Sequence, residues 1–219
     1  MPSNRTTARR RLALAALATG LLFGVGSVRA EDPPAQTELT KVRFETTLGS
    51  FVIQLETVRA PITSLNFINY VKSGQYTGTI FHRVINNFIV QGGGYDEKGQ
   101  LKPVGRPVAN ESGNGLSNKR GTVGLARSDA PHSGNCQFFV NLTDNDDLDP
   151  TPLRWGYAVF GRVVEGMDVV DKIGRTPTGA VGQWTRDAPI EPVVIKHAEI
   201  LGAVPAAAAE APAAPPTSK

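Results

Sequence analysis

The feature that most constrains the fold is a series of short segments in which apolar residues alternate, separated by turn residues. Residues 42–45 and 51–56 have this pattern, and Leu48-Gly49-Ser50 between them predicts a β-hairpin. Six more segments of this kind lie at residues 80–85, 88–91, 122–126, 137–142, 157–163 and 193–200. Eight short strands with few helices favour a β-barrel or a β-sandwich, and the pattern alone does not choose between them.

Two segments follow helical spacing instead. The first runs from Pro61 towards Gly74, and its apolar residues on helical spacing are Ile62, Leu65, Ile68 and Tyr70. The second covers residues 166–173, where one face is formed by Met167, Val170 and Ile173. We therefore expect a mainly β domain with two helices.

The first thirty residues have the layout of a signal peptide. Arginines precede an uncharged apolar run over residues 12–28, and Val28-Arg29-Ala30 offers a cleavage site. We expect removal of residues 1–30 and a periplasmic protein, with the Sec and twin-arginine routes both open. The alternative is an uncleaved membrane anchor, but the run is short and holds three glycines. After cleavage we expect no stable membrane insertion.

The composition of the chain ends places the folded domain between them. Residues 31–40 are expected to form a flexible lead-in. Residues 203–219 contain eight Ala and four Pro without apolar periodicity, which predicts a disordered tail. Residues 41–202 then form one domain, which we expect to be monomeric. Cys136 is the only cysteine, so burial alone must stabilise this domain, and no metal-site spacing suggests a metal or other cofactor.

The charge balance argues against nucleic acid as a partner. The whole chain has a net charge of +3, but its first thirty residues hold five of the 23 basic residues and none of the 20 acidic ones. The remainder has 18 basic and 20 acidic residues, a net charge of −2. The mature protein thus lacks the basic surface that nucleic-acid binding requires.

Three segments carry more specific information. They are FHRVINNFIVQGG at residues 81–93, GTVGLAR at residues 121–127 with QFFV at residues 137–140, and GYAVFGRV at residues 156–163. In this order and spacing they resemble the cyclophilin signature, and the resemblance covers roughly residues 41–201. The loops at residues 110–118 and before Trp155 are similar to the bacterial periplasmic branch. The resemblance implies a closed eight-stranded antiparallel barrel capped by two α-helices.

The resemblance also implies peptidyl-prolyl cis-trans isomerase activity on proline-containing polypeptides. Rotation about a peptide bond is opposed by a barrier of about 18–20 kcal/mol, because the nitrogen lone pair is shared with the carbonyl. X-Pro bonds populate both isomers but exchange them over tens of seconds or longer. A catalyst therefore needs no nucleophile. It must bind the twisted amide better than either planar form.

The resemblance assigns Arg83 the catalytic role. A guanidinium is always charged and donates in a fixed plane, so it can reach the prolyl nitrogen as the lone pair localises there. The matching substrate-binding positions are Phe88, Ile89, Phe139 and Leu148 in an apolar proline pocket, Gln91 and Gln137 as hydrogen-bonding residues, Ala126 and Arg127 along the peptide backbone, and Tyr157. His82 is interpreted as structural support, and Cys136 as a strand residue facing the core.

The chain departs from the family at a few positions. Asn86-Asn87 replaces Pro-Gly in a turn, Ile89 replaces Met and Tyr157 replaces His. Asp147 stands where family members carry an aromatic residue, which predicts weak inhibition by cyclosporin. Alternatively, Trp155 could fold back and supply the missing indole. Gly92-Gly93-Gly94 is interpreted as a turn, since no helix with a phosphate-binding Lys follows it.

Two other function classes remain as rivals. The first is a proline-peptide binding module or holdase that keeps the barrel but has lost turnover, and the intact set of Arg83, Gln91 and Phe139 argues against it. The second is a hydrolase, which the missing Gly-x-Ser-x-Gly nucleophile motif disfavours.

Overall fold

The predicted N-terminal hairpin is present in the computed structural model, which describes residues 40–202. Strands β1 (Lys41–Thr46) and β2 (Gly49–Leu55) pair antiparallel, with Val42 opposite Ile53 and Phe44 opposite Phe51. All four side chains are buried, as the alternating pattern requires. The predictions for residues 1–30, 31–39 and 203–219 lie outside the described residues.

The remaining elements follow in chain order. They are α1 (Pro61–Lys72), β3 (Thr79–Ile85), β4 (Ile89–Asp96), β5 (Thr122–Leu125), β6 (Phe138–Asn141), a short 3₁₀ helix (Asp146–Leu148), β7 (Val159–Glu165), α2 (Met167–Gly174), β8 (Thr178–Val181), β9 (Trp184–Pro189) and β10 (Val194–Leu201).

Eight of these strands close into an antiparallel barrel in the order β1-β10-β3-β4-β6-β5-β7-β2, and β2 pairs with β1 to complete the ring. The structure thus resolves the choice between barrel and sandwich, and confirms the predicted eight-stranded barrel with two helices. Strands β8 and β9 form a separate two-stranded sheet.

An aromatic cluster fills the barrel interior. Phe67 of α1 lies 4.9 Å from Phe160 and 5.5 Å from Phe138, measured between ring centroids. Phe44 stacks on Phe51 at 5.3 Å. Helix α2 adds Ile173 and other buried apolar residues to the same core. These aromatic pairs stabilise the barrel by more than the burial of their apolar surface alone would. Within residues 40–202, neither helix has the length and apolar character needed to cross a membrane.

The buried face of α1 differs from the predicted one. Ile62 is 46% exposed, and Leu65 and Tyr70 are only partly buried, whereas Thr63 and Phe67 are buried completely. The cause lies 48 residues away, in the Glu111 carboxylate. It accepts hydrogen bonds from the backbone N–H of Thr63 at 2.8 Å and from its hydroxyl at 2.7 Å. This contact satisfies the start of the helix and turns Thr63 inwards.

The interpretation of Gly92-Gly93-Gly94 as a turn was wrong, because all three residues lie within β4. A β-carbon at Gly93 would lie 2.8 Å from the ring of Tyr76. Gly92 and Gly93 instead allow aromatic side chains to approach the strand closely. Cys136 is buried as predicted, but it precedes β6 rather than lying on it.

The β8–β9 hairpin was not predicted. Its strands are mostly exposed and pair with an irregular register, so they carry little apolar alternation. Trp184 anchors the hairpin next to β3, with its ring 5.3 Å from Tyr95 and 5.9 Å from His82. An added layer therefore covers one outer part of the barrel.

Candidate active site

Three polar side chains form a hydrogen-bonded row on the outer barrel surface. Arg83 of β3 lies opposite Gln91 of β4, and its Nη1 donates to Gln91 Oε1 at 3.3 Å. Gln91 Nε2 donates in turn to Gln137 Oε1 at 3.1 Å. All three residues are half-buried. The row orients the guanidinium of Arg83, which has further N–H donors to offer a bound peptide.

Phe139 lies beside this row, at the position predicted to receive the proline ring. It is opposite Gln91 on β4 and opposite Gly124 on β5. A β-carbon at Gly124 would overlap the Phe139 ring, so the ring occupies space that only glycine leaves free. The ring of Tyr157 meets Phe139 edge-on at 5.7 Å. Phe139 is buried from solvent on all but a small part of its surface.

Phe88 and Ile89 reach the site through the β3–β4 turn. Asn87 has φ 54°, a left-handed conformation that Asn tolerates, as the Asn86-Asn87 turn predicted. The carbonyl of Phe88 accepts hydrogen bonds from Leu142 N at 2.9 Å and Asn145 Nδ2 at 3.0 Å. Ile89 is buried at the start of β4. The turn is thus held by backbone bonds to the segment after β6.

Leu148 and Tyr157 close the site from the 3₁₀ helix and the loop before β7. The N–H of Tyr157 donates to the carbonyl of Leu148 at 2.9 Å. Asp147, next to Leu148, is exposed, and its carbonyl accepts a hydrogen bond from the Arg154 guanidinium. The indole of Trp155 packs edge-on against the imidazole of His132 at 5.0 Å, and Trp155 is 46% exposed.

Ala126 and Arg127 lie directly after β5. The N–H of Ala126 donates to the carbonyl of Gln137 at 2.9 Å, which ties this segment to the polar row. The guanidinium of Arg127 lies 4.6 Å above the Tyr157 ring, a cation–π contact, and donates to the Trp155 carbonyl at 2.8 Å. Arg127 thus stabilises the loop that carries Tyr157.

Hydrogen bonds, strand pairing and ring contacts link eight of the ten predicted site residues to one another, and Phe88 and Ile89 lie where β4 begins. Sequence reasoning missed two glycines that these residues need. Gly124 makes room for Phe139, and Gly94 makes room for Gln137, since a β-carbon there would lie 2.7 Å from the Gln137 amide. Gly124 lies within the segment at residues 121–127, and Gly94 directly follows the segment at residues 81–93. Their position was visible in the sequence, but the ring and amide that require them were not.

His82 precedes Arg83 at an irregularity in the β3–β4 register, and it is 6% exposed. Burial, and secondarily the positive charge of Arg83, lowers the pKa of His82 from 6.5 to about 4. Its ring meets Tyr95 edge-on at 4.8 Å. His82 is therefore neutral at physiological pH and packs as an aromatic residue, in agreement with the structural role expected for it.

Sequence comparison shows which known proteins this chain is similar to. Residues 41–200 match the family of the cyclophilin type peptidyl-prolyl cis-trans isomerases. The chain is 48% identical over 167 residues to a peptidyl-prolyl cis-trans isomerase of Streptomyces antibioticus, covering 75% of this chain and 100% of the relative. It is 46% identical over 162 residues to peptidyl-prolyl cis-trans isomerase B of Escherichia coli, covering 73% and 98% of the two chains.

A solved cyclophilin type peptidyl-prolyl cis-trans isomerase of Cryptosporidium parvum has the same fold. The two share 25% identity with a TM-score of 0.62, over 76% of this chain and 99% of the other. The family match spans nearly all of the described residues, and the relatives named above are isomerases. The chain therefore belongs to the cyclophilin family and is a peptidyl-prolyl cis-trans isomerase.

Proposed function

We propose that this enzyme, a member of the bacterial periplasmic branch, assists the folding of exported proteins by rotating their X-Pro bonds, with Arg83 as the catalytic residue. The observation that carries the mechanism is the hydrogen-bonded row of Arg83, Gln91 and Gln137 beside the apolar side chain of Phe139. The signal-peptide layout of residues 1–30 supports the exported setting.

Arg83 acts on the prolyl nitrogen. In the planar amide the nitrogen lone pair is delocalised and accepts hydrogen bonds poorly, whereas in the twisted amide it localises. A guanidinium N–H aimed at this position stabilises the twisted form more than either planar form, which is the requirement for faster rotation. Gln91 holds the guanidinium in place, because its Oε1 accepts from Arg83 Nη1.

The pocket and the adjoining segment hold the substrate on either side of the rotating bond. Phe88, Ile89, Phe139 and Leu148 offer an apolar surface for the proline ring. The backbone of Ala126 and Arg127 lies next to Gln137, where it can align an extended peptide. With the ring fixed, rotation is confined to the part of the chain that precedes proline. No covalent step is involved.

The rival function is a binding module without turnover. It would need the apolar pocket but not an oriented cation beside it. The bond from Arg83 to Gln91, continued to Gln137, favours catalysis, because it orders a guanidinium at a loss of side-chain entropy that simple peptide binding would not require.

Arg83→Ala tests the mechanism. We expect a folded barrel and a loss of at least tenfold in kcat/KM on an X-Pro peptide, about 1.4 kcal/mol of transition-state stabilisation. NMR exchange spectroscopy measures the rate without a coupling protease. Arg162→Ala is the matched control, because Arg162 is an exposed arginine on β7. Near-normal turnover in folded Arg83→Ala would refute the role of Arg83, and no turnover in the unmodified chain would favour the binding module.

A further inference from the structure

A second cleft adjoins the polar row, between the barrel and the β8–β9 hairpin. Its volume is about 420 Å³. One wall is formed by Arg83, Gln91 and Gln137, and the other by Tyr95, Trp184 and Arg186. Arg83, Gln91 and Gln137, which the proposed function places at the substrate, thus also line this polar cleft. The proposed function does not use this cleft.

The hairpin side of the cleft is anchored at several points. The Trp184 ring packs against Tyr95 and His82. The side-chain amide of Gln183 donates to the Gly99 carbonyl in the loop after β4. A β-carbon at Gly99 would lie 3.4 Å from the Trp184 ring, so this loop and the hairpin are in close contact. The cleft is therefore a formed recess between two secured elements.

The charges of the cleft favour an acidic ligand group. Arg83 and Arg186 are cationic, Asp187 is the single acidic residue in the lining, and His82 is neutral because burial lowers its pKa to about 4. Arg186 meets Asp187 through Nε at 3.5 Å, and its side chain is 83% exposed. Its planar terminal N–H groups suit a carboxylate, which they can bind with two parallel hydrogen bonds.

The spacing fits a substrate residue near the proline. Ile89 of the proline pocket and Tyr95 of the cleft are both on β4, six residues apart. At about 3.3 Å per residue this separation is at most roughly 20 Å. An extended peptide bound at the pocket therefore reaches the cleft with a residue no more than about six positions from its proline.

We propose that this cleft is a specificity subsite that binds an acidic side chain of the substrate polypeptide two to five residues from the proline, through Arg186. The inference rests on the proposed isomerase function and extends it to substrate choice. It makes Arg186 a specificity-determining residue of an enzyme whose reaction itself depends on Arg83.

The experiment scans a single Glu through positions two to five on each side of proline in an Ala-based peptide, with Gln at the same position as the uncharged reference. We expect one position where Glu raises kcat/KM at least threefold over Gln. In Arg186→Gln the ratio of kcat/KM for the Glu peptide to kcat/KM for the Gln peptide should fall to near one at that position. Arg186→Glu should prefer a peptide with Lys there. Arg162→Gln, the same charge change on β7, should keep the preference.

Binding provides an independent measurement. The Glu peptide should shift the indole N–H signal of Trp184, assigned with a Trp184→Phe variant, and should bind more tightly than the Gln peptide. A Glu preference that is equal in the unmodified protein and in Arg186→Gln, in both turnover and affinity, would overturn the subsite. So would the absence of any Glu preference. If the unmodified protein turned over none of the peptides but still bound the Glu peptide more tightly than the Gln peptide, the proposed isomerase mechanism would be contradicted instead.

Discussion

At the scale of single residues, the site depends on two glycines that leave space for neighbouring side chains. Gly124 lies under the Phe139 ring and Gly94 under the Gln137 amide. Neither glycine needs an unusual backbone conformation, since their φ values are outside the left-handed region. Each is required for space, and a single added methyl group should therefore disturb the pocket while the strand keeps its course.

Gly124→Ala tests this requirement. The new methyl group would occupy the position of the Phe139 ring, so we expect a stability loss of about 1–3 kcal/mol and at least a tenfold fall in kcat/KM. Urea unfolding and NMR exchange on an X-Pro peptide measure the two effects. Gly113→Ala is the control, because a β-carbon at Gly113 meets no atom within 4 Å. Full activity in Gly124→Ala would mean that Phe139 does not receive the proline ring.

The carboxylate of Asp147 leads to a second prediction, which is that cyclosporin inhibits this enzyme only weakly. A tryptophan at this position would offer an apolar face and an N–H donor, whereas an exposed carboxylate must lose water to approach an apolar ligand. We expect Asp147→Trp to raise cyclosporin affinity strongly and to change peptide turnover little, as measured by inhibition titration. Because Trp155 packs on His132, it should not substitute for the missing ring. Tight inhibition of the unmodified enzyme would contradict this view.

At the scale of secondary structure, the β8–β9 hairpin covers the face of β3 that carries His82. The packing of Trp184 and Tyr95 on this imidazole excludes water from it. A charged imidazolium would lose hydration there, and for this reason the pKa of His82 falls to about 4. The contact between hairpin and barrel should consequently respond to acid.

This linkage gives a signed pH prediction. The unfolded chain binds a proton on His82 below pH 6.5, whereas the folded chain does so only below about pH 4. The contribution of the neutral His82 to the unfolding free energy is therefore fully present above pH 6.5 and is lost as the pH falls towards 4. Between pH 7.5 and pH 4.5 the unmodified protein should lose about 2 kcal/mol more unfolding free energy than His82→Phe, which keeps a ring but does not titrate. Urea unfolding at both pH values measures the difference. Equal losses would refute the burial of a neutral His82.

The elements differ in how far the sequence predicts them. Strand β1 alternates buried residues with more exposed ones, and β2 is buried from Phe51 to Leu55, so the local run of apolar residues was sufficient to predict both. The rotation of α1 depends on Glu111, and the β8–β9 hairpin on Trp184 packing against His82 and Tyr95. These contacts join residues far apart in the chain, which no local pattern records. The site residues were predicted through motif resemblance, but the cleft beside Arg186 was not predicted, because it forms only between elements that are far apart in the chain.

At the scale of the whole molecule, the signal-peptide layout of residues 1–30 predicts where the enzyme works. Removal of residues 1–30 would leave a chain that begins at Glu31 with a net charge of −2. We expect intact-mass measurement of protein from its native host to give this mature mass, in a periplasmic or extracellular fraction. A full-length chain in the cytoplasm would contradict the prediction. A spanning anchor would be indicated by a full-length chain in the membrane fraction.

The closure of the barrel has a consequence for an enzyme that meets unfolded chains. A strand at the border of an open sheet presents unpaired N–H and C=O groups, which can recruit a partly folded polypeptide and seed aggregation. In the ring from β1 to β2 every strand has a partner on both sides. The barrel can therefore hold an extended peptide against its outer surface, through side chains and one short loop segment, without offering it a place to be incorporated as a further strand.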